Sequence, residues 1–338
     1  MQSVPFSILD LAHIGEGQTA ADAFEKSKAI AAEAEALGYQ RLWLSEHHGM
    51  RGVASAATAV LLAAIGNATR HIRIGSGGIM LPNHSPLVIA EQFGTLATLF
   101  PGRIDLGLGR APGTDMATAM ALRRNMHASV DDYPADVQAL QAYLSDDKGG
   151  KGVIAMPGAG TRVPLWLLGS SLYSAKLAGQ LGLPYSFASH FAPEMLQDAI
   201  SVYRASFRPS EQLEKPFVSA GVMAVVADDE DEAARLFTSV QLQFANLRKQ
   251  ANKPMPAPVD HIEAVLSEYE IAAINNTLRF AITGTPQQAE RQIAQFIEAT
   301  GVDEMIFSFP VTDTGKCLQA IRHVGSLTSV MTKQDWAA

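Results

Sequence analysis

Cysteine is almost absent: Cys317 is the single one in 338 residues. That excludes an intramolecular disulfide and any multi-cysteine metal site, and it fits a reducing cytoplasm. Charge is sparse too, at 18%, and aromatic residues make up only 7%. No dense run of lysine or arginine occurs, and 26 basic against 34 acidic residues leave a net charge of −8. Neither nucleic acid nor an anionic membrane is an expected partner. Met1–Asp10 lacks the basic start and apolar stretch of a signal peptide. The longest apolar run, around Ala54–Gly66, is too short to span a bilayer. What the chain does have is apolar mass, 47% hydrophobic residues. That excludes disorder and suffices for a sizeable core without a staple.

The hydrophobic period alternates between two residues and 3.6 along nearly the whole chain. Strand-like stretches fall at Phe6–His13, Gln40–Ser45, Ile72–Ile79, Arg103–Leu108, Pro164–Leu168, Tyr185–Ser189, Phe217–Ala227 and Asp303–Phe309. Each leads into a helical stretch, among them Thr19–Gly38, Ala54–Arg70, Ser85–Phe100, Asp115–Leu144, Ser171–Leu181, Pro193–Phe207, Asp229–Gln250 and Thr314–Val330. Eight β-then-α units are the count of a closed barrel, so the expected fold class is α/β: a TIM-like (β/α)8 barrel, one domain over residues 1–338. An open doubly wound sheet would carry a glycine fingerprint after its first strand. Here that strand runs into Ala12-His-Ile-Gly-Glu-Gly17, and Gly107-Leu-Gly-Arg-Ala-Pro-Gly113 has the wrong spacing. Two segments break the rhythm. Ser145–Arg162 reads as a surface excursion. Asn246–Thr283, between strand seven and the helix at Gln287–Thr300, carries Pro254, Pro256 and Pro258 and a short helical stretch at His261–Ala272. An insertion of this length at a barrel mouth is expected to be a lid.

Barrel chemistry sits at the C-terminal ends of the strands, which directs attention to a few residues. Strand two ends in Trp43-Leu-Ser-Glu-His-His48. Consecutive strand residues face opposite ways, so His47 and His48 make a poor metal pair, and no metal is expected. One imidazole at the mouth suits acid–base work. Strand three, Ile74-Gly-Ser-Gly-Gly-Ile79, has three glycines within four residues, which implies close approach of a ligand or a rim bulge. In strand four, Ile104, Leu106 and Leu108 should meet the helices, leaving Asp105, Gly107 and Gly109 on a hollowed inner face. Arg110 then stands just past the strand end, where a guanidinium binds phosphate or forms a surface ion pair. Strand five opens through Gly169, Ser170 and Ser171 into a helix, a capped turn whose amides favour an anion. His190 closes the set after strand six.

Together these pieces resemble the bacterial luciferase-like, flavin-dependent monooxygenase family. The matching runs are Trp43–His48, Ile74–Pro82, Pro101–Arg110, Gly182-Leu-Pro184, Gly284-Thr-Pro286 and Gly301-Val-Asp-Glu304. The resemblance implies FMN at the barrel mouth, with reduced FMN as co-substrate. It implies a catalytic His47 and a flavin bed at Ser76, Gly77 and Gly78, where members often carry a non-proline cis peptide. The phosphate site would be Arg110, Gly169, Ser170 and Tyr173, and His48 and His190 would line the substrate pocket. Luciferase itself has a reactive cysteine at the position of Gly109 and an acidic residue at that of Gly169, so light emission is not expected. A separate NAD(P)H:flavin reductase and O2 are the implied partners, with a small organic substrate. A deazaflavin-dependent reductase and a non-catalytic flavin-binding protein are the alternatives, and His47 argues against the second. A homodimer is expected, because the helix over Ala54–Gly66 is apolar nearly all round and needs cover on both sides.

Overall fold

The computed structural model describes residues 4–111, 115–122, 132–146 and 152–327. Its strands are β1 (Phe6–Asp10), β2 (Arg41–Leu44), β3 (Arg73–Met80), β4 (Ile104–Gly109), β5 (Leu165–Gly169), β6 (Tyr185–Phe187), β7 (Val218–Val226), β8 (Ile282–Gly284) and β9 (Glu304–Ser308). The helices are α1 (Ala20–Leu37), α2 (Thr58–Ala68), α3 (Pro86–Leu99), α4 (Met116–Leu122), α5 (Tyr133–Leu144), α6 (Leu172–Leu181), α7 (Leu196–Ser206), α8 (Glu230–Arg248), α9 (Glu268–Thr277), α10 (Pro286–Thr300) and α11 (Thr314–Gly325). All strand pairs are parallel. Strands β1 to β7 follow one another in order, and β9 closes the ring between β7 and β1. This is a closed eight-stranded TIM barrel, and its eight strands are those the periodicity picks out.

The ninth strand was not expected. β8 pairs with the outer half of β7, through Ala224–Val226, while the inner half of β7 pairs with β9. β7 is thus long enough to serve both the barrel and a small outer flap. Residues 246–283 begin in the last turn of α8, contain α9 and run into β8, ahead of α10. The single helical stretch expected over Asp115–Leu144 contains α4 and α5, with residues 123–131 outside the described ones. Residues 328–330 of the last expected helix also lie outside them.

Local chemistry sets the helix ends. Thr19 and Asp22 form a reciprocal capping box at the start of α1, and Gly38 closes it at φ 79°, a conformation costly for residues with a Cβ. Thr285 and Gln288 repeat the box on α10, with Pro286 at the first helical position.

The strands sort their residues as the pleat requires. Ile104, Leu106 and Leu108 join the core between barrel and helices, together with Ile8, Leu42, Ile74 and Phe307. The lumen holds a second, smaller cluster of Leu9, Trp43, Trp166, Phe217 and Ile306. Trp43 and Trp166 meet edge to face at 5.0 Å, and Trp166 meets Phe217 at 5.6 Å. Below them Arg41 crosses the lumen, its Nη1 2.6 Å from Asp105 and its Nε 2.8 Å from Glu304. Arg73 also pairs with Asp105, and Ser7 donates to Glu304. Burial works against ionising Asp105, yet Arg41 and Arg73 outweigh it and hold its carboxyl below the usual range. For Glu304 burial wins over Arg41 and pushes the carboxyl up. The floor of the barrel is therefore filled, and only the C-terminal mouth is left for chemistry.

Candidate active site

The floor of the mouth is made of backbone. The Gly77–Gly78 peptide is cis. A Cβ on Gly77 would stand 2.7 Å from Leu9 Cδ1, and one on Gly78 2.7 Å from the Gly107 carbonyl oxygen. One on Gly107 would meet the Ser76 carbonyl at 2.2 Å. No side chain fits at these positions, so β3 and β4 present a bare surface into the mouth. Ser76, expected among the flavin contacts, is buried and donates its hydroxyl to the Gly107 carbonyl at 2.8 Å. Its hydroxyl is committed to strand pairing.

On one side of this floor Arg110 stacks its guanidinium 4.4 Å from the centroid of the Tyr173 ring. Tyr173 lies in the first turn of α6, whose Ser171 caps the Ser174 amide. The structure thus brings Arg110 together with the Gly169–Tyr173 turn. Gly169 sits where a Cβ would meet Ser174 Oγ at 2.5 Å, and its carbonyl accepts from the Tyr185 hydroxyl at 3.1 Å. Tyr133 backs the arginine from α5, donating to the Leu108 carbonyl at 3.1 Å. Burial pushes the Tyr133 phenol well up, so it stays a neutral donor.

Three histidines meet across the mouth. His13 follows β1, His47 follows β2 and His190 follows β6. Burial, then repulsion from Lys26 and His47, lowers His13 to about 3. Burial, then His47, lowers His190 to about 4. Both are neutral at pH 7. His190 packs against bare backbone, where a Cβ on Gly221 would lie 2.5 Å from its Nδ1. His13 was missed by the sequence reading, although it ends the first strand-like stretch, where barrel chemistry is to be sought.

His48 turns another way. Its Nε2 lies 2.8 Å from Glu46 Oε1, and His84 Nε2, from beyond β3, lies 2.8 Å from the same oxygen. Glu46 is buried, and the Met80 amide points at its other oxygen from 3.4 Å. Burial alone would raise this carboxyl, but the two histidines outweigh it and hold it low. Because β2 ends at Leu44, residues 46–48 need not alternate as a strand does, and this frees Glu46 and His48 to converge on one point. His84 was also missed, since nothing near it in sequence marks it.

The segment expected as a lid reaches the same rim. Met255 pairs with the loop after β1, its amide donating to the Ile14 carbonyl at 2.9 Å and its carbonyl accepting from Glu16 at 3.0 Å. Asn252 bridges the loop after β2, donating to the Gly49 carbonyl at 2.6 Å and accepting from the Arg51 amide at 2.7 Å.

With this geometry in view, the comparison with known proteins is decisive. Residues 4–304 match the family model described as luciferase-like monooxygenase. The chain belongs to the luciferase-like monooxygenase family. A luciferase-like monooxygenase from Escherichia coli strain K12 is 46% identical over 312 residues, 92% of this chain and 93% of that protein. The N-acetyl-S-alkylcysteine monooxygenase of Bacillus subtilis strain 168 is 29% identical over 314 residues, covering 91% and 93%. Among solved structures, apo-MsnO8 superposes with a TM-score of 0.86 at 30% identity, over 98% of this chain and 100% of that one. Two more distant structures share the fold at 15% and 16% identity. One is the oxygenating constituent of a 3,6-diketocamphane monooxygenase in complex with FMN (TM-score 0.74), the other an F420-dependent secondary alcohol dehydrogenase (0.69). As a member of this family the protein is an oxidoreductase. No helix among the described residues is long and apolar enough to cross a membrane.

Proposed function

We propose that the protein is an FMN-dependent monooxygenase that takes reduced FMN from a separate NAD(P)H:flavin reductase and uses O2 on a small organic substrate in the cytoplasm. One observation carries this reading: the bare Gly77–Gly78 floor and the Arg110–Tyr173 pair open onto the same mouth. A planar ring system needs the first, and a phosphate needs the second. Gly77 and Gly78 would bed the ring, while Arg110, Gly169, Ser170 and Tyr173 would hold the phosphate. When bound, reduced FMN supplies the electrons that activate O2. The remaining work falls to the protein. His13 and His190 stay uncharged at pH 7, and His47, the position the resemblance marks as catalytic, is the acid–base group of this proposal. His190 and His48 stand on the substrate side. The segment 246–283 excludes water by closing over the rim it already touches.

A second copy of the chain completes the assembly. α2 buries Leu61, Leu62 and Ile65 but leaves Val60 73% exposed, and neighbouring α3 exposes Leu99 at 59%. An apolar surface of this kind asks for cover, and a homodimer supplies it.

Anaerobic titration with reduced FMN and, separately, reduced F420 tests the cofactor, and admission of O2 tests the reaction. The expected result is binding of reduced FMN and oxygen uptake that forms product. Binding of F420 with none of FMN would overturn the reading in favour of a deazaflavin-dependent reductase.

A further inference from the structure

We propose that Glu46, His48 and His84 form a binding site for one divalent first-row transition-metal ion, zinc being the best-suited probe. The three donor atoms, one carboxylate oxygen and one ring nitrogen from each imidazole, all lie within 4.8 Å of one another. They come from the ends of two adjacent parallel strands, β2 and β3, and so from loops the barrel itself holds in register. The carboxylate is 1% exposed, and its ion-pair contacts among the described residues are with the two histidines, not with lysine or arginine. A buried carboxylate in that setting is satisfied either by N–H donors of the two imidazoles or by one cation between the three donors.

The geometry accommodates the cation. Zinc takes imidazole nitrogen at about 2.0–2.1 Å and carboxylate oxygen at about 2.0–2.2 Å, which sets tetrahedral donors roughly 3.3 Å apart. Both histidines now stand 2.8 Å from Glu46 Oε1, so each would move about half an ångström from that oxygen, while the two ring nitrogens, within 4.8 Å of each other, would settle at the tetrahedral spacing. Two nitrogens and one oxygen suit zinc, iron, cobalt or nickel and exclude calcium and magnesium, which ask for oxygen throughout. Three protein ligands leave a fourth position open. The His48 and His84 side chains are 15% and 26% exposed, which leaves the ion a way in from solvent.

Calorimetric titration of the full-length protein with zinc chloride, next to Glu46→Gln, His48→Gln and His84→Gln, tests the site. One zinc per chain is expected, with affinity reduced at least tenfold in each variant, since even loss of a group outside the ligand shell costs that much. His71→Gln, an exposed histidine away from the mouth, should bind as the parent does. Anomalous diffraction from crystals of the unmodified protein grown with zinc settles the matter even if a variant fails to fold, and should place the ion on these three side chains. Absence of saturable binding, an ion found elsewhere, or folded variants with unchanged affinity would overturn the proposal.

Discussion

Arg41→Met removes the one guanidinium that bridges Asp105 and Glu304 across the barrel floor. Breaking a buried ion pair by removing one partner costs about 3–5 kcal/mol, because the remaining charge is stranded in a medium that cannot solvate it. Among the described residues Asp105 keeps Arg73, whereas Glu304 keeps the Ser7 hydroxyl, so the penalty falls on Glu304 and the lower figure, about 3 kcal/mol, applies. With an unfolding entropy of about 2.1 cal/mol/K per residue, a chain of this length should lose roughly 4 °C in Tm. The direction of the pH dependence is fixed as well. Glu304 already titrates above the usual carboxylate range, and without Arg41 it must move further up. A carboxyl raised in the folded state favours folding below its unfolded pKa and loses that advantage as pH rises through the folded value. The deficit of the variant should therefore be larger at pH 7 than at pH 5. Urea unfolding followed by circular dichroism at both pH values reads this directly. Adding Glu304→Gln to Arg41→Met should recover most of the loss, since the stranded charge is gone. A deficit independent of pH, with no recovery in the double variant, would refute the stranded-charge reasoning and point to lost packing against Trp166, whose ring centroid lies 4.7 Å from the guanidinium.

Four further outcomes are expected. Arg110→Ala should weaken FMN binding about ten- to a hundredfold, the equivalent of about 1.5–3 kcal/mol for a charge-assisted contact, measured by flavin fluorescence quenching; unchanged affinity removes the phosphate site. His47→Ala should keep FMN binding but lose product formation; a dead His48→Ala beside a normal His47→Ala would reverse the assignment. Proteolysis within residues 246–283 should slow when FMN and substrate are bound, and equal rates would deny the segment a role as a lid. Light scattering at micromolar concentration should give the mass of a dimer; a monomer would mean that the apolar face of α2 has no partner.

How far the sequence carries depends on how local the signal is. The barrel strands were readable because each declares its two-residue period within a few positions, and β4 even shows which face is hollow, Asp105, Gly107 and Gly109. Arg110 and the Gly169–Tyr173 turn were readable for the same reason, as strand ends that chemistry favours. β8 was not, because three residues carry no period, and its pairing depends on β7 running past the barrel. The pairing of Glu46 with His84 could not be read either, since it needs the register of β2 against β3 and a loop freed from alternation. For Ser76, which the resemblance places in the flavin bed, the sequence does not show that its hydroxyl donates to the Gly107 carbonyl of the next strand. His13 carried no local mark beyond its position, and only the closed ring shows that it faces His47.

The bare floor has a consequence for how such a protein could change its substrate. Along β3 and β4 the mouth offers peptide bonds in place of side chains, and the packing of Gly77, Gly78 and Gly107 against neighbouring atoms forbids adding any. This part of the wall cannot be tuned by substitution; it is inherited whole or broken. Variation in what the protein accepts then falls to the other parts of the rim, among them the turn after β6 and the segment 246–283 that touches it. A mutagenesis library aimed at new substrates belongs there, and the glycine arc should be left as it stands.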